Sequence, residues 1–373
     1  MKLYVLDNMF NIVGIVEGFK SLIWIRKYKT YGTFKMEIDY SDEWNELLQK
    51  DYILYKSNGE AAFIETKITD TLENTGREII TVQGKFITHF VYRRIVQGTM
   101  TLLDWSEICM KNVVDQQCVT TTPERVIPNL EIEEQQGYME ETNQQVSYKN
   151  VGLVLEEIAE VSGLGYLIHL DLKERKLIFK VYKGIDRTIH QDVRAPCIFS
   201  REFENVLSQR YETSNVDYAN VTLVAGDGEG EERTTLILGN ATGLNRYELY
   251  TNAADISRQI ETEDAETGEK ITTDMTDEEY NKLLKERGNQ KLVEHDEKVA
   301  FESVINTKAN LVYREDYDLG DKVTVRDRRR GITEDTVIQQ IQETYENGKQ
   351  TITVTFGDGI PQLASKLKRK LGD

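Results

Sequence analysis

The dipeptide Asn347-Gly348 constrains this chain most, because it sits between two runs of strand-forming residues, Ile341-Gln342-Glu343-Thr344-Tyr345 and Thr351-Ile352-Thr353-Val354-Thr355-Phe356. Asn-Gly supplies the two left-handed positions of a type I′ turn, whose twist matches that of paired strands. In the second run Ile352, Val354 and Phe356 fall on one face and Thr351, Thr353 and Thr355 on the other, so the sheet is antiparallel with one face buried and one wet. Upstream, Leu311-Val312-Tyr313 reads as a strand, Tyr317-Asp318-Leu319-Gly320-Asp321 as a turn and Lys322-Val323-Thr324-Val325 as the next strand, followed by a charged loop from Arg326 to Asp335. Strand, turn, strand and hairpin together describe the wall of a barrel or sandwich.

The N-terminal region repeats the design. Ile53-Leu54-Tyr55, a Ser57-Asn58-Gly59 turn, Ala62-Phe63-Ile64, Ile68 to Asn74, a Thr75-Gly76 turn and Ile79-Ile80-Thr81-Val82 follow one another. Ile68-Thr-Asp-Thr-Leu-Glu-Asn-Thr-Gly lies beside Ile341-Gln-Glu-Thr-Tyr-Glu-Asn-Gly with a one-residue difference, which sets Thr81-Val82 against Thr353-Val354. We expect residues 51–84 and 321–356 to be two copies of one barrel wall. Unrelated hairpins can share such residues too, since Thr, Ile and Val favour strands and Asn-Gly favours turns. Earlier strands are expected over Lys2–Leu6, Ile12–Glu17, Ser21–Lys27 (an apolar run covered on both sides) and Phe34–Asp39.

A chain of 373 residues has room for two to three domains. No run of about 18 apolar residues is present, so no membrane-spanning helix is expected. The acid at Asp7 comes too early for a secretory signal, and synthesis in the cytoplasm follows. The net charge of −18 argues against wrapping nucleic acid, which needs clustered Lys and Arg. Cys109, Cys118 and Cys197 match neither a zinc site nor a disulfide framework and read as small buried apolar residues.

From Met100 the texture becomes helical. Leu102, Trp105, Ile108 or Cys109, and Val113 recur at helical spacing, and Val151, Val154, Leu155, Ile158 and Val161 form a second stripe ended by Gly163 and Gly165. A hairpin, Tyr166 to Leu172 and Leu177 to Tyr182, completes a small α+β unit. Strands return from Cys197, and residues 251–304 read as an acidic helical insertion with a capping box at Thr276-Asp277-Glu278-Glu279.

Several groups of residues are candidate sites. The cluster Arg26-Lys27-Tyr28-Lys29-Thr30-Tyr31 could be a nucleic-acid patch, but a hairpin tip or subunit contact suits so acidic a chain better. His169 falls on the polar side of its strand and reads as solvent-facing, and His89, His190 and His295 lie far apart with no motif. Asp227, Glu229 and Glu231 could hold calcium, yet the loop 226–232 reads as a flexible hairpin tip. The carboxylates Glu278, Glu279, Glu286, Glu294, Asp296 and Glu297 alternate with Lys and Arg, as on a solvated helix face. No catalytic, cofactor or metal residue is assigned.

The order of Leu6-Asp7 through Gly14, Trp24 to Tyr28, Gly32-Thr33-Phe34, Gly184-Ile185-Asp186-Arg187-Thr188, Phe199-Ser200 with Asn205, Tyr317 to Val323, Tyr345 to Gly348 and Val354-Thr355-Phe356-Gly357 resembles the siphophage tail proteins of the tail-tip or baseplate hub type. The resemblance implies a mainly β, α+β chain. It would have a first tube-type β-barrel domain at 1–98, an intervening α+β domain at 99–195, a second tube-type barrel at 196–357 interrupted at 251–304, and a basic tail at 358–373. It further implies a homotrimer that caps the tail tube of a phage or phage-derived contractile particle. A tube or distal tail protein would sit above, a tip, spike or other baseplate protein below, and DNA would pass without specific binding. The alternative is a cell-wall hydrolase or peptidase component, since several relatives carry such a domain.

Overall fold

The computed structural model describes residues 1–71, 73, 76–263 and 270–357. The chain opens with β1 (Leu3–Leu6), β2 (Ile12–Val16), β3 (Ser21–Lys27), β4 (Thr33–Asp39), a short helix α1 (Asp42–Leu47), β5 (Ile53–Tyr55), β6 (Ala61–Thr71) and β7 (Glu78–Phe86). Alternation decides which side chains go inward: Leu22 and Trp24 on β3, Phe34, Met36 and Ile38 on β4, and Ile80 and Val82 on β7 are buried in one core. The other face of β3 is only half-buried, so its apolar run is covered on one side rather than two. These strands pair in the order β3-β4-β7-β6-β5-β1-β2.

The chain then leaves the sheet for β8 (Thr99–Trp105), α2 (Ser106–Val114), β9 (Leu130–Ile132), β10 (Glu141–Ser147), α3 (Val151–Ser162), β11 (Gly165–Asp171) and β12 (Lys176–Tyr182). In α3 the Asn150 side chain accepts from the Gly152 and Leu153 amides, and Gly163, at φ 72°, ends the helix, as a left-handed C-terminal residue does. Val154, Leu155 and Ile158 pack with Met110, Tyr166 and Phe179 in a second core. The helical spacing expected from Leu102 begins only at Ser106. Leu102 and Met100 are buried while Thr101 and Leu103 are not, and that period of two belongs to a strand, β8, paired with β10.

Back at the sheet come β13 (Ile198–Ser200) and β14 (Val206–Ser214), then an excursion through β15 (Val221–Ala225), β16 (Thr235–Leu238), β17 (Glu248–Asn252), β18 (Gln259–Glu263), β19 (Lys270–Asp274) and α4 (Asp277–Glu294). β20 (Lys298–Ile305), β21 (Lys322–Asp327), β22 (Ile332–Glu346) and β23 (Lys349–Phe356) finish the described chain. Asn347 and Gly348 stand at φ 51° and 72°, the values that a type I′ turn requires. The second strand set pairs in the order β14-β20-β23-β22, with β22 also holding β21 and β21 holding β13.

The strands β3-β4-β7-β6-β5 and β14-β20-β23-β22-β21 run the same course, and their registers agree in detail, whereas β13 is parallel to β21 and β1 antiparallel to β5. β6 pairs with β7 as Ile64 with Gly84, Thr66 with Gln83 and Lys67 with Val82, a bulge intervening after Ile64. β22 pairs with β23 as Ile338 with Phe356, Gln340 with Thr355 and Ile341 with Val354, with its bulge after Ile338. Val82 and Val354 therefore stand two positions from equivalent bulges, and Ile80 and Ile352 two positions further on. The cross-strand aromatic pair Trp24–Phe34 of β3 and β4 is matched by Tyr211–Phe301 of β14 and β20.

β22 is 15 residues long. Its first part serves β21 and its last part, Gln340–Glu346, pairs with Ser21–Lys27 of β3, so the two sets share one 13-stranded sheet. Among the described residues its path is open, ending at β14 and β2.

Three further expectations change. Residues 251–304 are not one helical insertion: among the described residues helix is confined to 277–294, and 298–305 is strand β20 of the main sheet, whose Ala300, Phe301 and Ile305 are buried. The capping box is present, with Thr276 Oγ1 accepting from the Glu279 amide and Glu279 accepting from the Thr276 amide. Leu311-Val312-Tyr313 is a loop rather than a strand: Leu311 and Tyr313 both pack on the core of the second strand set, and the Tyr313 hydroxyl also accepts from Arg26. The charged segment from Arg326 is mostly strand, with a turn only at 328–331. Asn74, Thr75 and the basic tail at 358–373 lie outside the described residues.

Candidate assembly interface

The β3–β22 seam is held by charge. Trp24 and Arg26, two apart on β3, point to one side; Glu343 of β22 stands directly across from Trp24. Lys56 and Glu60 flank the Ser57-Asn58-Gly59 turn, and Tyr313, Arg314 and Asp318 come from the loop before β21. Arg26 donates from Nε to Glu60 (2.9 Å) and from Nη1 to Asp318 (2.5 Å) and Tyr313 (2.8 Å). Lys56 Nζ lies 2.9 Å from Glu343 and 3.3 Å from Glu60, and Arg314 bridges the same two carboxylates, at 3.1 Å from Glu343 and 2.8 Å from Glu60. Trp24 Nε1 and the Tyr345 hydroxyl donate to Glu60 and Glu343. Three cations thus meet three carboxylates in a site where Glu343 is 2 % and Lys56 8 % exposed. Burial alone would raise the Glu60 carboxyl, but Arg26, Lys56 and Arg314 outweigh it and hold it at about 2. Glu343 is likewise held below its ordinary value, burial being outweighed chiefly by Lys56. Such a site costs desolvation and returns it only when every partner is present, so it acts as a lock.

The basic-aromatic cluster is a hairpin tip bound inside the chain. Tyr28 is buried, its hydroxyl donating to Gly163 O at 3.0 Å and accepting from the Gly184 amide at 3.3 Å. Lys29 pairs with Glu160 at 2.8 Å, and Thr30 donates to Glu156. With Arg26 and Lys29 committed to carboxylates, the tip serves as a peg between the sheet and α3 rather than as a phosphate surface.

Two stretches that carry the family resemblance meet. A Cβ on Gly184 would lie 1.9 Å from Gly320 O, so the backbones touch. Asp321 accepts from the Ile185 amide (2.8 Å) and from Arg187 Nε (2.9 Å). Asn205, fully buried, accepts from the Ser200 amide and donates to Ile198 O. These residues fasten the linker after β12 to the second strand set.

The other weighed residues scatter. His169 is half-buried rather than solvent-facing and lies so close to Gly59 that a Cβ there would sit 1.8 Å from its ring; burial lowers its pKa. His89 stacks on Tyr92, His190 lies 3.6 Å from Asp335, and His295 caps α4 and contacts Asp217 O. Residues 226–234 form the connection between β15 and β16, and Arg233 donates to Gly226 O. Of the α4 acids, Glu279 caps the helix, Asp277 pairs with Arg258 and Glu294 with Lys291. Cys109, Cys118 and Cys197 are buried and form no disulfide, and burial pushes their thiols up to about 11, 12 and 12. Among the described residues no three metal-ligating side chains converge.

What the sequence did not disclose is a pair of open edges. Among the described residues, β6 beyond Ile64 has a strand only on its β7 side, and β14 has a strand only on its β20 side. Ile68 to Thr71 and Leu207, Ser208, Arg210 and Thr213 are exposed. Open edges recruit further strands.

A family model described as "Siphovirus ReqiPepy6 Gp37-like protein" matches residues 2–358. Three solved structures share the fold. The prophage tail protein gp18 from Listeria monocytogenes EGD-e is 10 % identical, with a TM-score of 0.56 over 100 % of this chain and 98 % of its own. The tail protein from Neisseria meningitidis MC58 gives 10 %, 0.56, 96 % and 96 %. The prophage MuSo2 43 kDa tail protein from Shewanella oneidensis gives 12 %, 0.55, 95 % and 97 %. No protein of curated function matches.

Proposed function

This chain belongs to the siphovirus ReqiPepy6 Gp37-like family of phage tail proteins, and from that premise we propose that it is a structural hub: a homotrimer that caps the tail tube and adapts a six-fold tube to a three-fold tip. The observation that carries the reading is the recurrence of one strand order, with one bulge register, twice in the chain. Two such units per chain make six around a three-fold axis. Duplication of a single tube-type domain accounts for the shared register, and the open path of the isolated sheet accounts for why closure would need neighbouring copies. A tube or distal tail protein would stack on one side and tip proteins on the other. The excess of acidic side chains would keep passing DNA from adhering.

Light scattering together with electron microscopy of the purified protein tests this. The expected result is a ring of three chains with six similar lobes. A monomer at tens of micromolar that also fails to ring on isolated tail tubes would overturn it. The hydrolase alternative predicts muropeptide release from peptidoglycan; the hub reading expects none.

A further inference from the structure

The seam inside the chain dictates the seam between chains. We propose that Thr66–Thr71 of β6 in one copy pairs antiparallel with Gln209–Ser214 of β14 in the next. The register would be Thr66 with Ser214, Ile68 with Glu212, Asp70 with Arg210 and Thr71 with Gln209. The pairing rests on the ring reading above and gives it a residue-level joint.

The two strand sets superpose by register. Matching the bulges sets Thr66 on Gln340 and Asp70 on Thr344. Matching the aromatic cross-strand pairs sets Tyr211 on Trp24, hence Arg210 on Ile23 and Ser214 on Lys27. Within the chain the joint is Gln340 with Lys27, Thr344 with Ile23 and Tyr345 with Leu22. Translating each residue to its counterpart gives the register stated, with no free parameter.

Three observations fit that occupant. Each edge is open over the segment its counterpart uses for pairing, β3 with β22 being the filled version of the same joint. Asp70 and Arg210 come directly opposite, and opposite charges at directly facing positions favour a strand pair; in the isolated chain Arg210 turns to Glu212 of its own strand at 2.7 Å. The side-chain amide of Gln209 and the hydroxyl of Ser303, which face one another across β14 and β20, are buried without a hydrogen-bond partner, and the proposed register brings the hydroxyl of Thr71 opposite Gln209. A self-pairing of β14 with β14 would instead satisfy neither the β6 edge nor the Asp70–Arg210 match.

Cysteines at facing positions of an antiparallel pair lie within disulfide range, so the full chain carrying both Asp70→Cys and Arg210→Cys decides the matter. The three native cysteines are buried and stay out of the reaction. Mild oxidation should convert most chains to a covalent species of three times the 43.1 kDa chain, whereas Asp70→Cys with Glu212→Cys, displaced by two residues, should remain uncrosslinked. Mixing the two single variants should give covalent dimers only. A trimer in light scattering with no 70–210 bond would overturn the register and leave the ring reading standing. No trimer and no crosslink, either in solution or on isolated tail tubes, would overturn both, and a disulfide dimer from Arg210→Cys alone would replace the joint by a β14–β14 contact.

Discussion

The ring of Tyr28 fills the space that a side chain on Gly165 would need: a Cβ there would lie 2.2 Å from the ring and 2.9 Å from the Tyr28 carbonyl oxygen. Gly320 packs against the same ring from the second strand set, where an added Cβ would lie 2.4 Å from it. One aromatic side chain at a hairpin tip thus joins the first strand set, the second strand set and the α3 region.

Gly165→Ala should therefore lower unfolding stability by about 1–3 kcal/mol, the usual cost of forcing extra volume into packed space. Gly165 is not in a left-handed conformation, so the cost is steric rather than torsional. Denaturant titration reads it, and an unchanged midpoint would show that the Tyr28 peg does not hold the parts together.

Removing one charge from the seam should cost more. Glu60→Gln leaves Arg26 and Arg314 short of a carboxylate in a site from which water is largely excluded, and breaking such a cluster costs roughly 3–5 kcal/mol. Trp24 donates to Glu60 at 2.9 Å, so its fluorescence should change with the substitution. Amide exchange confined to β3 and β22 would speed up first.

Acid should open the same seam. Glu60 is held at about 2 in the folded chain, against about 4.3 for an unperturbed glutamate. A depressed folded value means stability that is fully present above the unfolded value and is lost as pH falls from about 4.3 through about 2. The amount is on the order of 3 kcal/mol. Unfolding free energy measured across that window should fall, and should fall less in Glu60→Gln; equal slopes in the two proteins would refute the assignment.

Glu107 organises a loop from inside. Its carboxylate accepts from the Gln136, Gly137 and Tyr138 amides at 2.6, 2.9 and 3.0 Å and from Lys111 at 2.6 Å. Burial would raise its pKa, but Lys111 and those amides bring it below its ordinary value. Glu107→Ala strands the Lys111 charge and frees the loop, so limited proteolysis should cut near residues 134–140 at least several-fold faster than in the parent. Global stability should fall less than with Glu60→Gln, since the loop is at the surface.

Local chemistry decided what local chemistry can. Asn347-Gly348 demanded a hairpin and is one; Gly163 ended α3; Thr276 and Glu279 made their box; and the equivalence of Ile80 and Val82 with Ile352 and Val354 was legible because strand periodicity and turn position are properties of a few adjacent residues. The places where the reading slipped are those where two periods compete over a short run, as at Leu102 and Trp105, or where helix-forming composition spilled over a strand, as at 298–305.

Tertiary structure alone decided the rest. Arg26, Lys56, Glu60, Arg314 and Glu343 look like ordinary surface charges one at a time, and their cluster exists because β22 is long enough to pair with β3 some 320 residues away in sequence. The open edges of β6 and β14 were equally invisible, since a strand's sequence states which face is buried but not which edge has a neighbour. Hydrogen-bonding edges are made of backbone, which every residue shares, and only the assembled sheet shows which of them is still unpaired.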